Sequence, residues 1–153
     1  MADLADADFD HPLDPPEGWA RDHVHEYVRS GGERGQHWKP GVDTLLLTTV
    51  GRKSAKTRRT PLIYGKTDGS YAVVASKGGS DVAPLWYTNQ LADPRARIQV
   101  GPKVMDARGR VAEGAERARL WDQMATIWPD YNKYQTKTDR QIPVVVLEPV
   151  TSG

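Results

Sequence analysis

Five cations crowd one short stretch of this chain. Arg52, Lys53, Lys56, Arg58 and Arg59 fall close together, with Gly51, Ser54 and Thr57 among them. Arginine offers a planar fork matched to phosphate or carboxylate oxygens, and lysine adds a point charge. Small and hydroxyl-bearing neighbours leave room for an anion and supply further donors. The stretch therefore reads as an anion site, with a solvated basic turn as the alternative. It is not a Walker loop, because the glycine spacing before a Gly-Lys-Ser/Thr ending is absent.

Two further clusters carry possible chemistry. Ala75-Ser76-Lys77-Gly78-Gly79 places two glycines after an apolar run, where backbone N–H groups can approach a ligand closely. An ordinary strand-to-helix turn is the simpler reading. Trp86, Tyr87 and Asn89 follow, with Asn89 a donor for a heterocycle's carbonyl and Trp86 either wall or core. Trp128, Tyr131 and Tyr134 form the third cluster. Such rings line a pocket mouth with flat faces and phenolic donors, or pin a loop to the body.

Other chemistries find little support. The chain has no cysteine, so disulfides, thiolate metal sites and cysteine nucleophiles are excluded. His11, His23, His25 and His37 do not have metal-ligand spacing, so no metal is expected. There is no GxSxG elbow, which argues against a hydrolase triad. Net charge is +1, too balanced for a general nucleic-acid binder. No apolar stretch approaches the roughly 20 residues of a membrane span, and the acidic start lacks the basic region of a secretory signal. A cytoplasmic protein is expected.

The elements that must position these clusters can be read from pattern. At 153 residues the chain is expected to form one domain, over 14–150, behind an acidic, disordered 1–13. Asp14-Pro15-Pro16-Glu17 predicts a helix start capped by Asp14. Trp19, Val24, Tyr27 and Val28 give that helix an apolar stripe, and Gly31-Gly32 stop it. Residues 35–41 read as a connector. Strands are predicted over 44–50, 61–66 and 71–76, with 51–59 a polar basic loop between the first two and a hairpin turn at Thr67-Asp68-Gly69-Ser70 joining the last two. Asp81 is expected to cap a short helix over 84–91. Strands over 96–100 and 103–111 meet at Gly101-Pro102, and a helix covers 115–128. Residues 129–141 read as a loop, and 142–147 as a strand covered on both faces. Most strands are neighbours in sequence, so the class is α+β, mainly β: a mostly antiparallel sheet or small barrel with flanking helices.

Several blocks agree at once with a known family. Thr48 to Ser54 with Arg58 and Thr60-Pro61-Leu62, then Val74 to Gly79, Pro84 to Asn89, and Thr138 to Pro143, stand in order at compatible spacings from about Trp19 to Pro149. The chain resembles the deazaflavin-dependent nitroreductase family, which reduces quinones and activates nitroimidazoles with reduced coenzyme F420. The resemblance implies a split β-barrel of the FMN-binding type. It implies that Arg52, Lys53, Ser54, Arg58, Arg59, Thr60, Pro61, Leu62 and Ile63 hold the coenzyme's phosphate and anionic polyglutamate tail. Val74, Ala75, Ser76 and Lys77 would contact the ring, and Leu85, Trp86, Tyr87, Thr88 and Asn89 would close over it. Ile63, Trp128 and Tyr134 would wall the acceptor pocket. Ser76 is expected to hydrogen-bond the acceptor, and Tyr131 to touch coenzyme or substrate and deliver a proton. Ala55 stands where the family commonly has glycine, so that loop is expected to differ in backbone conformation; Ile63 stands where some members have an aromatic, and Trp128 where those have tyrosine. A quinone, a nitroaromatic or another conjugated acceptor is expected, with a quinone favoured over a nitroimidazole. A non-catalytic coenzyme carrier and an FMN-dependent reductase are the competing readings. Contact with the inner membrane face, where some members sit, is the second option for location.

Overall fold

The computed structural model describes residues 8–150. A 12-residue helix, α1 (Gly18–Arg29), is followed by β1 (His37–Lys39), β2 (Val42–Val50), β3 (Thr57–Ile63), β4 (Gly65–Thr67) and β5 (Ser70–Val74). A 3₁₀ turn (Lys77–Gly79), α2 (Leu85–Ala92), β6 (Arg95–Val100), β7 (Lys103–Val111), α3 (Gly114–Ile127), α4 (Asp130–Thr136) and β8 (Val144–Pro149) complete the chain.

All the strand pairs are antiparallel, in the order β1-β2-β6-β7-β8-β5-β4, with β3 on the other side of β2. Consecutive strands β3 and β4 thus sit at opposite ends of the path. The chain can step between them only if the sheet curls into a barrel that stays split there. The expected split-barrel, mainly antiparallel fold is what the chain adopts. Between β4 and β5, Asp68 and Gly69 take φ of 47° and 79°, the left-handed pair that a two-residue hairpin turn requires.

Burial follows the pleat. On β8, Val145 and Leu147 point into the barrel with Leu45, Leu47, Val73, Ile98 and Trp86. Val144 and Val146 point outward under Leu120, Met124 and Tyr131 of α3 and α4. This strand is covered on both faces, as its unbroken apolar run predicts. Each such side chain contributes roughly 1.5–3 kcal/mol on leaving water. On the far side, Val24 and Tyr27 of α1 pack on Leu46 of β2. The Tyr27 hydroxyl donates to the Thr44 carbonyl at 2.9 Å and accepts from the Gly101 N–H at 2.8 Å. Trp19 and Val28 of the predicted stripe stay largely exposed.

Several expectations need correction. Helix α1 starts at Gly18, with Glu17 at its cap position, and Asp14 instead takes both Nε and Nη2 of Arg59, at 2.7 and 3.0 Å. An ion pair to a distant strand outcompetes the local cap. Residues 35–41 contain strand β1, formed because Trp38 stacks on neighbouring rings while the backbone pairs with β2. Strand β3 begins at Thr57, so Arg58 and Arg59 lie on a strand rather than in the basic loop. Ser76 lies in a turn beyond β5. Pro84, not Asp81, precedes α2. Helix α4 occupies the predicted loop at 129–141. Its seven residues are too few to be stable alone, and they are held by Trp121 Nε1 donating to Asn132 Oδ1 at 2.9 Å and by Gln135 bonding both the Arg140 carbonyl and the Ile142 N–H. Of the segment expected to be disordered, residues 1–7 lie outside the described residues. Residues 8–13 are held: Leu13 bridges to β3 through Leu13 N–H to the Thr57 carbonyl and Arg59 N–H to the Leu13 carbonyl, both 2.8 Å, and Asp10 pairs with Arg97.

Candidate coenzyme and acceptor site

Two adjoining cavities open at the split in the barrel, of about 380 and 340 Å³. Thr60, Lys77, Pro84 and Trp86 line both, so they form one crevice. Its walls come from β3, from the turn after β5 and from the start of α2, the elements that the open edge of the barrel brings together.

The second cavity is the cationic end. Arg58, Arg59, Lys77, Thr49, Asn89 and Leu85 line it, with Leu13 to Pro16 on its outer side. Arg59 is neutralised by Asp14. Among the described residues, Arg52, Lys53, Lys56, Arg58 and Lys77 have no ion pair. Arg52, Lys53 and Ser54 are exposed on the adjoining loop and line neither cavity. That loop is fixed by Gly51 N–H to the Lys56 carbonyl and Ala55 N–H to the Gly51 carbonyl, both 2.8 Å. Ala55 adopts φ of 60°, so it keeps the left-handed geometry that glycine takes freely and bears the strain instead of altering the loop. Asn89 is buried and accepts from the Arg52 N–H at 3.2 Å; it clamps α2 to the loop and is spoken for within the chain.

The first cavity is aromatic. Trp86, Trp128, Tyr131, Tyr134, Trp38 and Trp19 supply the walls, and Pro61, Leu62, Ile63 and Val74 the apolar floor. Trp19, Trp38 and Trp128 stack in series with centroids 5.3 and 5.5 Å apart. Trp38 and Trp19 went unrecognised as walls because only tertiary packing carries β1 and α1 to the mouth. Ser76 and Tyr131, both buried, also line this cavity, and neither hydroxyl has a hydrogen-bond partner among the described residues. Burial, reinforced by Tyr134, pushes the Tyr131 phenol well above the usual tyrosine range, so it stays protonated and can donate.

The turn bearing Ser76 is held from behind. Arg140 donates to the carbonyls of Ser80 at 2.8 Å, Ser76 at 3.0 Å and Ala75 at 3.2 Å. Gly79, at φ 86°, lies so close to α4 that a Cβ there would sit 2.7 Å from the Tyr134 carbonyl oxygen. Of the other predicted contacts, Ala75 is buried in the barrel core, Thr88 lines neither cavity, and Tyr87 faces two separate grooves on the far side of α2. No cluster of His, Asp or Glu suited to a metal occurs among the described residues.

The fold is thus a split barrel whose opening carries free cations at one end and unpartnered hydroxyls between aromatic walls at the other. Residues 19–149 match the family described as F420H(2)-dependent quinone reductase, and the chain belongs to that family. It is 37% identical over 124 residues to an F420H(2)-dependent quinone reductase of Mycobacterium tuberculosis, covering 79% of this chain and 83% of the relative. A solved F420-H2 dependent reductase, FDR-A, shares 46% identity at a TM-score of 0.64, over 69% of this chain and 93% of that one. A solved domain-swapped dimer shares 41% identity at a TM-score of 0.67, over 84% and 96%.

Proposed function

We propose that this protein binds reduced coenzyme F420 across the two cavities and reduces a quinone in the aromatic one. The observation that carries the reading is the continuity of a cationic cavity with an aromatic one that ends on two free hydroxyls. When bound, the reduced deazaflavin supplies a hydride, and the protein's task is to bind, orient and exclude water.

Arg58 and Lys77, with Arg52 and Lys53 beyond the cavity, attract and hold the phosphate and polyglutamate tail. The close backbone at Gly78 and the ring of Trp86 make a slot for a planar tricycle. Ser76 donates to the acceptor oxygen on which negative charge develops. Tyr131, kept neutral by burial, donates to the same region and is the residue placed to deliver a proton.

Purified protein with reduced F420 and menadione should regenerate oxidised coenzyme. Tight coenzyme binding without reduction of any quinone would reduce the protein to a carrier, and stronger binding of FMN than of F420 would make it a flavin enzyme.

Among the described residues no helix is long and apolar enough to cross a membrane. Exposed Val82 and Leu85 near the cationic mouth are the surface through which peripheral contact with a quinone-bearing bilayer would be made. Co-sedimentation with liposomes, lost in Val82→Asp with Leu85→Asp, checks that part.

A further inference from the structure

We infer that the acceptor cavity favours quinones bearing an anionic substituent, and that Lys39 is the residue that reads that charge. This deepens the quinone-reductase reading and rests on it.

Lys39 closes β1 at the cavity's outer rim. Its Nζ lies 4.6 Å from the ring centroid of Trp38 and 5.3 Å from that of Trp128. Both rings line the aromatic cavity. The ammonium is attracted to the negative faces of two indoles, so a flexible side chain is held at one place. It is exposed and has no ion pair among the described residues. The nearby acid of the hairpin, Asp43, is engaged by His37 at 2.7 Å. Among the described residues no Asp or Glu lines the cavity to answer this charge.

The geometry then sorts an acceptor by its two ends. Ser76 and Tyr131 take the reducible carbonyl at the buried end. The fused ring lies between Trp128, Tyr134 and Ile63. A sulfonate or carboxylate on the opposite edge emerges past Trp38 and Trp128, where Lys39 waits. A neutral quinone makes the inner contacts only. At a wet rim an ion pair changes affinity by about fivefold, and salt weakens it.

The test uses the coenzyme-loaded protein with a naphthoquinone sulfonate and with neutral menadione, comparing wild type, Lys39→Gln and Lys39→Glu. Expected is a rise in KM for the sulfonate of about fivefold in Lys39→Gln and more in Lys39→Glu, with kcat and the menadione parameters unchanged and the difference erased by high salt. In parallel, quenching of tryptophan fluorescence by the sulfonate reads binding without turnover. If neither quinone is reduced, the functional reading fails, yet the quenching titration still decides whether Lys39 binds the anion. Equal effects on both quinones, no effect on either, or weakened coenzyme binding in the Lys39 variants would each overturn the inference.

Discussion

The guanidinium of Arg140 donates to the main-chain carbonyl of Ser76 at 3.0 Å. It reaches Ala75 and Ser80 as well, so one side chain sets the path of the turn that carries a site hydroxyl. Arg140→Ala leaves those carbonyls without this donor and should cost about 1.5–3 kcal/mol. With the turn loosened, kcat for menadione should fall about tenfold while the coenzyme is still bound. Arg140→Lys should restore part of the stability and little of kcat, because a point charge cannot span three acceptors. Thermal unfolding and steady-state kinetics read the two effects separately.

Arg58 and Arg59 are sequence neighbours with opposite expected phenotypes. Arg58 is exposed and free to meet an anionic tail, whereas Arg59 is committed to Asp14. Arg58→Ala should weaken coenzyme binding about fivefold, more at low salt, with Tm unchanged. Arg59→Ala removes both guanidinium bonds from a half-buried carboxylate, leaving it only His25 at 3.6 Å, and should cost about 1–2 kcal/mol of stability with a smaller effect on coenzyme affinity. Equal effects on affinity would show that both cations grip the tail.

Glycines 78 and 79 should respond differently to alanine. Both have positive φ, at 64° and 86°, which costs an L-residue about 1–2 kcal/mol. At Gly78 a Cβ meets nothing within 4 Å, so Gly78→Ala should cost about that much and no more. At Gly79 the new atom would collide with the backbone of Tyr134 at 2.7 and 2.9 Å. Gly79→Ala should lower Tm by at least about 5 °C and displace Tyr134 from the acceptor wall.

Ala55→Gly should stabilise the protein. At φ 60° the alanine pays the left-handed cost, about 1–2 kcal/mol, against the roughly 0.5–1 kcal/mol of extra chain entropy that glycine loses on folding. The net gain is about 0.5 kcal/mol, visible as a rise in Tm of one or two degrees.

Alkaline pH should erode the fold through its buried phenols. Burial pushes Tyr27 up to about 12 and raises Tyr64 and Tyr131 above the ordinary range. The unfolded chain ionises these groups near pH 10 while the folded chain keeps its protons. Stability is therefore fully present below about pH 10 and falls as pH rises through the folded values. Denaturant midpoints across that window should drop, and Tyr27→Phe should flatten part of the slope while removing the bonds to Thr44 and Gly101.

Much of this arrangement was readable in one dimension. The alternating cover on β8, the Asp68-Gly69 turn and the clustering of cations each follow from local pattern, because period, turn chemistry and charge are properties of neighbouring residues. What escaped was set by distance. Basic side chains at Arg58 and Arg59 read as a loop, yet their backbone is paired with β2 on one side and Leu13 on the other. Helix α4 is short and gains its stability from Trp121 and Gln135 rather than from propensity. Arg140 looked like an ordinary cation because its acceptors are 60 to 65 positions away. Trp38 gave no signal until β1 brought it beside Trp128.

The bridge between Leu13 and Arg58 also has a defensive consequence. Among the described strands β3 pairs only with β2, so without that bridge its other side would be a row of unsatisfied amide and carbonyl groups ready to recruit a strand from another molecule. The segment around Leu13 occupies the start of that row. Trimming the chain to begin after Leu13 would uncover it and remove part of the cationic cavity's outer wall, and such a fragment should self-associate with rising concentration.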